Sequence, residues 1–306
     1  MERKKLPPEP LIDLDCLHCA LNQVINTTEI AGTPEPKRRE LMQKALRLMS
    51  EFDPNTNNCI VIGAVYRLVC EGIGDPDPYR ETRIFFDREM MRLLPELREH
   101  IARSDDRLRS AVRASIAGNL IDLAALGNEV TLDKALQKVE DVDRDGLYVD
   151  HCDSLAEALS GAKTLLVLGD NCGEIALDRL LIETIRTLYP QLRVVYGVRG
   201  IPTVNDVTYE DAEVVGMGEV VDEVIDNGDG LLTTMLCHCS DRFLDEFYGA
   251  DVIIAKGMGN FEGLMNCDRG NIWFMLISKC VAIARLTGTP RGSIICMRRE
   301  EVPSSN

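Results

Sequence analysis

The sequence predicts a three-layer α/β/α fold, built on a mostly parallel sheet and preceded by a helical N-terminal portion. Three observations carry that expectation. From Gly161 onward, short runs rich in Val, Leu and Ile recur at Thr164–Leu168, Leu192–Val198, Asp251–Ala255 and Ser293–Met297. Unbroken apolar runs of that length read as parallel strands buried on both faces. Between the first two lies Glu174–Leu188, where Leu177, Leu180, Leu181, Ile185 and Leu188 share one helical face. The first half of the chain has helical spacing instead, and strands alternating with helices specify a sheet covered on both sides.

Taken in order, Asp15–Asn26 reads as a helix, and Pro34-Glu35-Pro36 interrupts before a second helix over Lys37–Glu51. A turn at Asp53–Asn58 leads to helical spacing over Cys59–Cys70, and Gly74-Asp75-Pro76-Asp77-Pro78 forms a rigid loop. Met90, Met91, Leu94, Leu97 and Ile101 fall on one helical face; so do Leu108, Val112, Ile116, Leu120 and Leu123 of the next stretch. Asn119 and Asp122, three residues apart, are neighbours on that helix. Gly146–Val149 reads as a short strand, and Ile272–Leu286 as an apolar helix. The expected division is a helical portion over residues 1–135 and an α/β domain over 136–306, which can pack as one unit.

Composition narrows the function classes. With 306 residues the chain can bury a sizeable core, and its net charge of −16 disfavours nucleic acid or an anionic membrane as partner. No apolar stretch approaches the ~20 residues of a membrane span. The charged, proline-broken N-terminus lacks the apolar centre of a signal peptide. Eleven cysteines, an odd number, fit a reducing compartment better than a disulfide framework. The expected setting is therefore cytoplasmic. The sequence carries no signal of oligomeric state.

Three polar clusters, each directly after an apolar run, hold most of the chemical information: Gly169-Asp170-Asn171-Cys172-Gly173-Glu174, Arg199 to Asp206, and Lys256-Gly257-Met258-Gly259-Asn260-Phe261-Glu262. Ligands of open α/β sheets bind outside the carboxyl ends of the strands, so all three arrive at one rim. Asp170, Asn171 and Asp206 offer a hard, oxygen-only set suited to Mg²⁺, Mn²⁺ or Co²⁺. Asp170 and Asn171 could instead simply cap the following helix. Arg199 and Lys256 supply cations for a phosphate, and glycines let backbone approach it.

Other patterns are weaker. Asp141-Val142-Asp143-Arg144-Asp145-Gly146 opens like a calcium loop, but position twelve is Cys152 where a bidentate Glu is needed. Gly216-Met217-Gly218 lacks the third glycine of a dinucleotide fingerprint, and Lys256-Gly257-Met258-Gly259 is no Walker motif. Cys16-x-x-Cys19 with Cys237-x-Cys239 could bind zinc, although small buried thiols are the commoner outcome. Four histidines and no Gly-x-Ser-x-Gly elbow leave a serine triad without a scaffold.

As a set, Asp170-Asn171-Cys172-Gly173-Glu174, Arg199-Gly200-x-Pro202-x-x-Asn205-Asp206 and Lys256-Gly257-x-Gly259-Asn260-Phe261-Glu262 resemble the metal-dependent damage-control phosphatases, the ARMT-like family once catalogued as a domain of unknown function. Asp75–Arg83 is similar to the family's Asp-Pro-Tyr loop, with Arg83 where Lys is expected. Gly118-Asn119-x-x-Asp122 is similar to its helical Gly-Asn element, and Lys279-Cys280 also fits. The N-terminal Cys-x-x-Cys resembles the stand-alone, mainly prokaryotic branch.

The resemblance implies a divalent cation (Co, Ni, Mn or Mg) held by Asp170, Asn171 and Asp206. It also implies hydrolysis of small phosphomonoesters, damaged or side-product phosphometabolites. Asp170, Asp206 and Lys256 are the expected catalytic residues. Arg199, Asn205, Lys256, Asn260, Asn119, Glu174 and Glu262 are the expected substrate-binding or supporting residues. The nucleophile is either a water or Asp170, with water preferred because Asp170 is needed as a ligand. Two other readings remain open: an S-adenosylmethionine-dependent methyltransferase, and a non-catalytic metal or redox sensor built on Cys16, Cys19, Cys237 and Cys239.

Overall fold

The structure is a computed structural model and describes residues 14–53, 56–118, 137, 141–142 and 144–303. Three helices, α1 (Leu17–Ile30), α2 (Glu35–Glu51) and α3 (Asn58–Ile73), pack on one another around Ala20, Val24, Leu41, Ala45, Val61, Val65 and Val69. Prolines open α2, the Asn57 side chain caps α3 by accepting from Cys59 N at 2.8 Å, and left-handed Gly74 (φ 78°) ends it. The periodic stretch around Met90–Ile101 is two helices, α4 (Arg80–Met91) and α5 (Leu94–Arg103). Pro95 explains the break, because it opens a helix well and cannot continue one. Then follows α6 (Arg107–Ala117), capped by Asp106. Leu120, Leu123, Asn119 and Asp122 lie outside the described residues, as does Asp143.

The remainder alternates: β1 (Val149–Asp150), α7 (Cys152–Gly161), β2 (Thr164–Leu168), α8 (Glu174–Leu188), β3 (Arg193–Val198), α9 (Tyr209–Val214), β4 (Glu223–Asp226), α10 (Asp241–Gly249), β5 (Val252–Lys256), α11 (Gly257–Leu264), β6 (Ile272–Ile277), α12 (Val281–Thr287) and β7 (Ile294–Arg298). The strands form a seven-stranded sheet in the order β1-β7-β6-β5-β2-β3-β4, parallel except for β6 against β7. With helices on both faces, this is a three-layer α/β/α fold.

The Ile272–Leu286 expectation is corrected. Ile272–Ile277 is strand β6, helix α12 starts only at Val281, and Lys279-Cys280 sits in the loop between them. Six consecutive apolar residues have no periodicity that separates a buried strand from a buried helix. Here Ile272, Trp273 and Phe274 favour the strand, and β5 and β7 pair with both of its edges. Strand β4, short and only partly buried at the sheet edge, carries no comparable apolar run.

Period-two alternation assigns each face. Leu165, Val167, Val194, Tyr196, Val252, Ile254, Trp273 and Met275 join a core with Met90, Leu97, Val112, Ile116 and the apolar stripe of α8. Leu166, Leu168, Val195, Ile253, Ala255, Ile272 and Phe274 face Phe243, Phe247, Phe261 and Leu264 of α10 and α11. Helices α4–α6 thus share a continuous core with the sheet. No described helix is long and apolar enough to cross a membrane.

The chain runs from β2 outward through β3 and β4 on one side, and from β5 through β6 and β7 on the other. The reversal between β2 and β5 opens a crevice beyond their carboxyl ends, which is where the three polar clusters begin.

Candidate active site

Backbone geometry brings the first two clusters together. After β2 and β3 the chain makes one isolated antiparallel bridge, Asn171 opposite Asp206. It is closed by Cys172 N donating to Asn205 O at 2.9 Å and by Val207 N donating to Asp170 O at 3.0 Å. In this pattern the bridged residues are the non-hydrogen-bonded pair, whose Cα atoms lie roughly 4.5 Å apart with side chains on the same face. Asn171 and Asp206 therefore project side by side. Val204, two residues before Asp206, has φ 51°, an unfavourable conformation for a β-branched residue.

The third cluster supplies close contact. Gly257 has φ 76°, and a Cβ built on it would lie 1.8 Å from Asp170 Oδ2. The Asp170 carboxylate thus rests where a side chain would be, held against bare backbone. Gly259 and Gly263 are needed likewise, since their Cβ atoms would meet Leu232 O at 2.0 Å and Thr234 O at 2.3 Å.

Asp170, Asn171, Asn205, Asp206, Gly259 and Glu262 line one cavity of about 320 Å³. Its apolar wall includes Ile62, Val204, Leu232, Met258, Ile277 and Ile283, with Gln23, Asn58 and Lys279 adding polar groups. Cys16, Cys19, Cys59 and Cys280 also face it, whereas Cys237 and Cys239 pack into apolar clusters. Gln23, Asn58 and Cys59 escaped the sequence reading because they come from helices with no motif, and Val204, inside the Arg199–Asp206 cluster, was not singled out as a site residue. Lys279 and Cys280 were noticed only through the family resemblance.

Arg199, Lys256 and Asn260 do not line this cavity; they form the layer beneath it. The Arg199 guanidinium donates through Nε to Asp206 Oδ2 at 2.7 Å, through Nη1 to Thr234 Oγ1 at 3.1 Å and through Nη2 to Asn260 Oδ1 at 3.2 Å. The Asn260 amide donates to Gly169 O at 3.0 Å and Lys256 O at 2.8 Å, tying the ends of β2 and β5. Burial pushes the Asp206 carboxyl up, and the adjacent Arg199 charge opposes that.

Lys256 is fully buried and paired with Glu174 and with Asp178 Oδ1, the latter at 2.6 Å. Asp178 also accepts from Ser115 Oγ at 2.7 Å and Tyr196 OH at 2.8 Å. Burial raises Glu174 to about 7; Lys256 pulls it down, while the Asp178 and Asp170 charges push it up. Burial would lower Lys256, but its two carboxylate partners more than offset this and hold the ammonium charged. Glu262 is raised by burial and accepts from the Cys59 thiol at 3.3 Å. Asn119 lies outside the described residues.

Among the described residues, no group of three or more His, Cys, Asp or Glu side chains could hold a metal ion. A site at Asp170 and Asp206 depends on the Asn171 amide. Asn171 Nδ2 faces Asp170 Oδ2 at 2.5 Å, and a half-turn about χ2 brings its oxygen to that place. Two carboxylates and an amide oxygen beside an open cavity fit a hard divalent cation, with no thiol or imidazole in the set. The calcium-like segment is different: Arg144 pairs with both Asp141 and Asp145.

Comparison with known proteins agrees with this architecture. A model of the damage-control phosphatase ARMT1-like domain matches residues 12–295. A damage-control phosphatase of Pyrococcus horikoshii is 33% identical over 290 residues, covering 94% of this chain and 98% of that protein. One from Archaeoglobus fulgidus is 29% identical over 281 residues, covering 92% and 96%. The crystal structure of a DUF89 family protein from Pyrococcus horikoshii superposes with a TM-score of 0.86 at 31% identity, covering 94% of this chain and 99% of that one. The chain belongs to the ARMT1-like damage-control phosphatase family.

Proposed function

We propose that the protein is a divalent-metal-dependent phosphatase that hydrolyses small phosphomonoesters, damaged or side-product metabolites, in the cytoplasm. The observation that supports this reading is the bridge between Asn171 and Asp206, which sets an amide and a carboxylate side by side on the cavity that Asp170 also lines. Asp170, Asn171 and Asp206 would hold the cation. When bound, it supplies charge neutralisation at the phosphoryl oxygens and eases ionisation of a water.

The protein's own groups have separate tasks. Arg199 fixes the Asp206 carboxylate through Nε, and Gly257 allows Asp170 its position. Asn205, Asn58 and Gln23 offer amides to substrate hydroxyls within the cavity. Glu174 and Lys256 pair with each other below the ligand loop. Direct contact of Lys256 with a phosphoryl group would require giving up its pairs to Glu174 and Asp178, so in this arrangement it acts through them. On a chain of net charge −16, an anionic substrate depends on local positive charge to enter. Exposed Lys279 at the cavity is one such charge, and a bound cation would be the larger.

The test is release of inorganic phosphate from a panel of sugar, nucleoside and polyol phosphomonoesters with Co²⁺, Ni²⁺, Mn²⁺ or Mg²⁺ added. Turnover on at least one ester, abolished by a chelator and restored by metal, is expected. Folded, metal-supplied protein inactive on every ester would refute the reading.

A further inference from the structure

A second buried network joins the same two loops from helix α4. Asp87 and Asp211 have no solvent exposure and Arg83 almost none. Asp87 Oδ1 accepts from Gly173 N at 2.6 Å, holding the loop that carries Asp170 and Asn171. Asp211 Oδ2 accepts from Thr208 N at 2.7 Å and Thr208 Oγ1 at 2.6 Å, holding the chain just beyond Asp206. Arg83 donates through Nε to both Asp211 oxygens at 3.2 and 3.1 Å, and through Nη1 and Nη2 to Asp77 at 2.6 and 2.8 Å.

Charge and donors do not balance if every acid is ionised. Three carboxylates face one guanidinium, and all of the guanidinium's nitrogens are directed to Asp77 and Asp211. Asp87 Oδ2 has no hydrogen-bond partner, and the Asp211 charge acts on this carboxyl more strongly than any other group does. Two fully buried carboxylates that interact this strongly cannot both be ionised without a large penalty. Asp211 already accepts from Arg83 and Thr208 and is the better anion. The proton therefore belongs on Asp87.

We propose that Asp87 is a positioning residue that keeps its proton at neutral pH and donates it to Asp211, so that one carboxyl–carboxylate hydrogen bond ties the Asp170–Glu174 loop to the Asp206–Thr208 loop. Burial first, and the Asp211 charge next, push the Asp87 carboxyl up to about 9, against the pull of Gly173 N–H and Arg83. The other titratable groups near it are Cys172, itself raised by burial, and Tyr196, whose hydroxyl is committed to Asp178. The Arg80–Glu210 pair between α4 and α9 is exposed. Significance for catalysis rests on the phosphatase reading; the location of the proton does not.

The sign of the linkage follows from the raised value. In the unfolded chain Asp87 ionises near its ordinary value of about 4, whereas in the fold it stays protonated to about 9. Stability at this residue is therefore full below about pH 4 and is lost progressively up to about pH 9. Asp87→Asn replaces the neutral acid by an isostere that still accepts from Gly173 and donates to Asp211, without that loss. The thermal midpoint of Asp87→Asn minus that of wild type should widen by several degrees across this range and then level off. Asp87→Ala, which keeps neither bond, should melt below Asp87→Asn throughout. In the infrared difference spectrum at neutral pH, Asp87→Asn should lack one protonated-carboxyl band. A midpoint difference independent of pH, or a spectrum with no band lost, would overturn the proposal whether or not the protein proves to be a phosphatase.

Discussion

Gly257→Ala is expected to remove most activity and a large part of the stability together. The added methyl would sit 1.8 Å from Asp170 Oδ2, and the residue's φ of 76° is one that side chains resist. The left-handed conformation costs about 1–2 kcal/mol and the overlap about 1–3 kcal/mol more, giving roughly 2–5 kcal/mol in denaturant unfolding. Relief of the overlap displaces the Asp170 carboxylate, and a shift of about 1 Å at a catalytic group can cost on the order of 10²-fold in rate. Gly218→Ala is the control, because nothing lies within 4 Å of its added methyl. Equal stability and phosphate release for Gly257→Ala and Gly218→Ala would disprove the close approach.

The second large effect is Lys256→Met. Glu174, Asp178 and Lys256 are all essentially without solvent exposure, so removing the one ammonium leaves two acids uncompensated in the interior. Breaking a buried pair in this way costs about 3–5 kcal/mol. The loss should be smaller when Glu174→Gln is added, since one orphaned charge is then gone. Denaturant midpoints of the single and double variants measure this directly. A Lys256→Met protein as stable as wild type would place the amine in solvent, where it could serve as a direct phosphate ligand.

Much of the architecture was legible because buried parallel strands advertise themselves. Thr164–Leu168 and Glu174–Leu188 were bounded correctly from apolar runs and a helical stripe, and β3, β5 and β7 within a residue at each end. Strand β6 was not, because Ile-Trp-Phe-Met-Leu-Ile is apolar at every position and period carries no information there. Strand β4, half-exposed at an edge, offers too few apolar residues to be seen. The three clusters stood out because each begins at the end of a buried apolar strand, and the structure brings their loops to one rim.

What the clusters could not reveal is depth. Arg199 follows a strand as Asp170 does and Lys256 ends one, yet both turn inward to buried partners while Asp170 and Asn171 turn to the cavity. Those partners, Asp178 on α8 and Thr234 before α10, lie on no motif. Asp77 and Arg83 lie in the Asp75–Arg83 segment noticed through the family resemblance, but Asp87 and Asp211 lie on no motif, and the network of the four exists only once α4 and α9 meet. The cavity wall built from α1, α3 and the loop before α12 likewise needs tertiary contact that sequence spacing does not encode.

The most direct test of the account is metal stoichiometry and phosphate release measured on the same samples: wild type, Asp170→Ala and Asp206→Ala, each stripped with a chelator, reloaded and dialysed. The account predicts that wild type regains one tightly held divalent ion and its activity together. Both alanine variants should stay folded but regain neither, since each loses one of only three ligands. An Asp206→Ala protein that still binds the ion and still releases phosphate would contradict the assignment of this cavity as the metal-dependent active site.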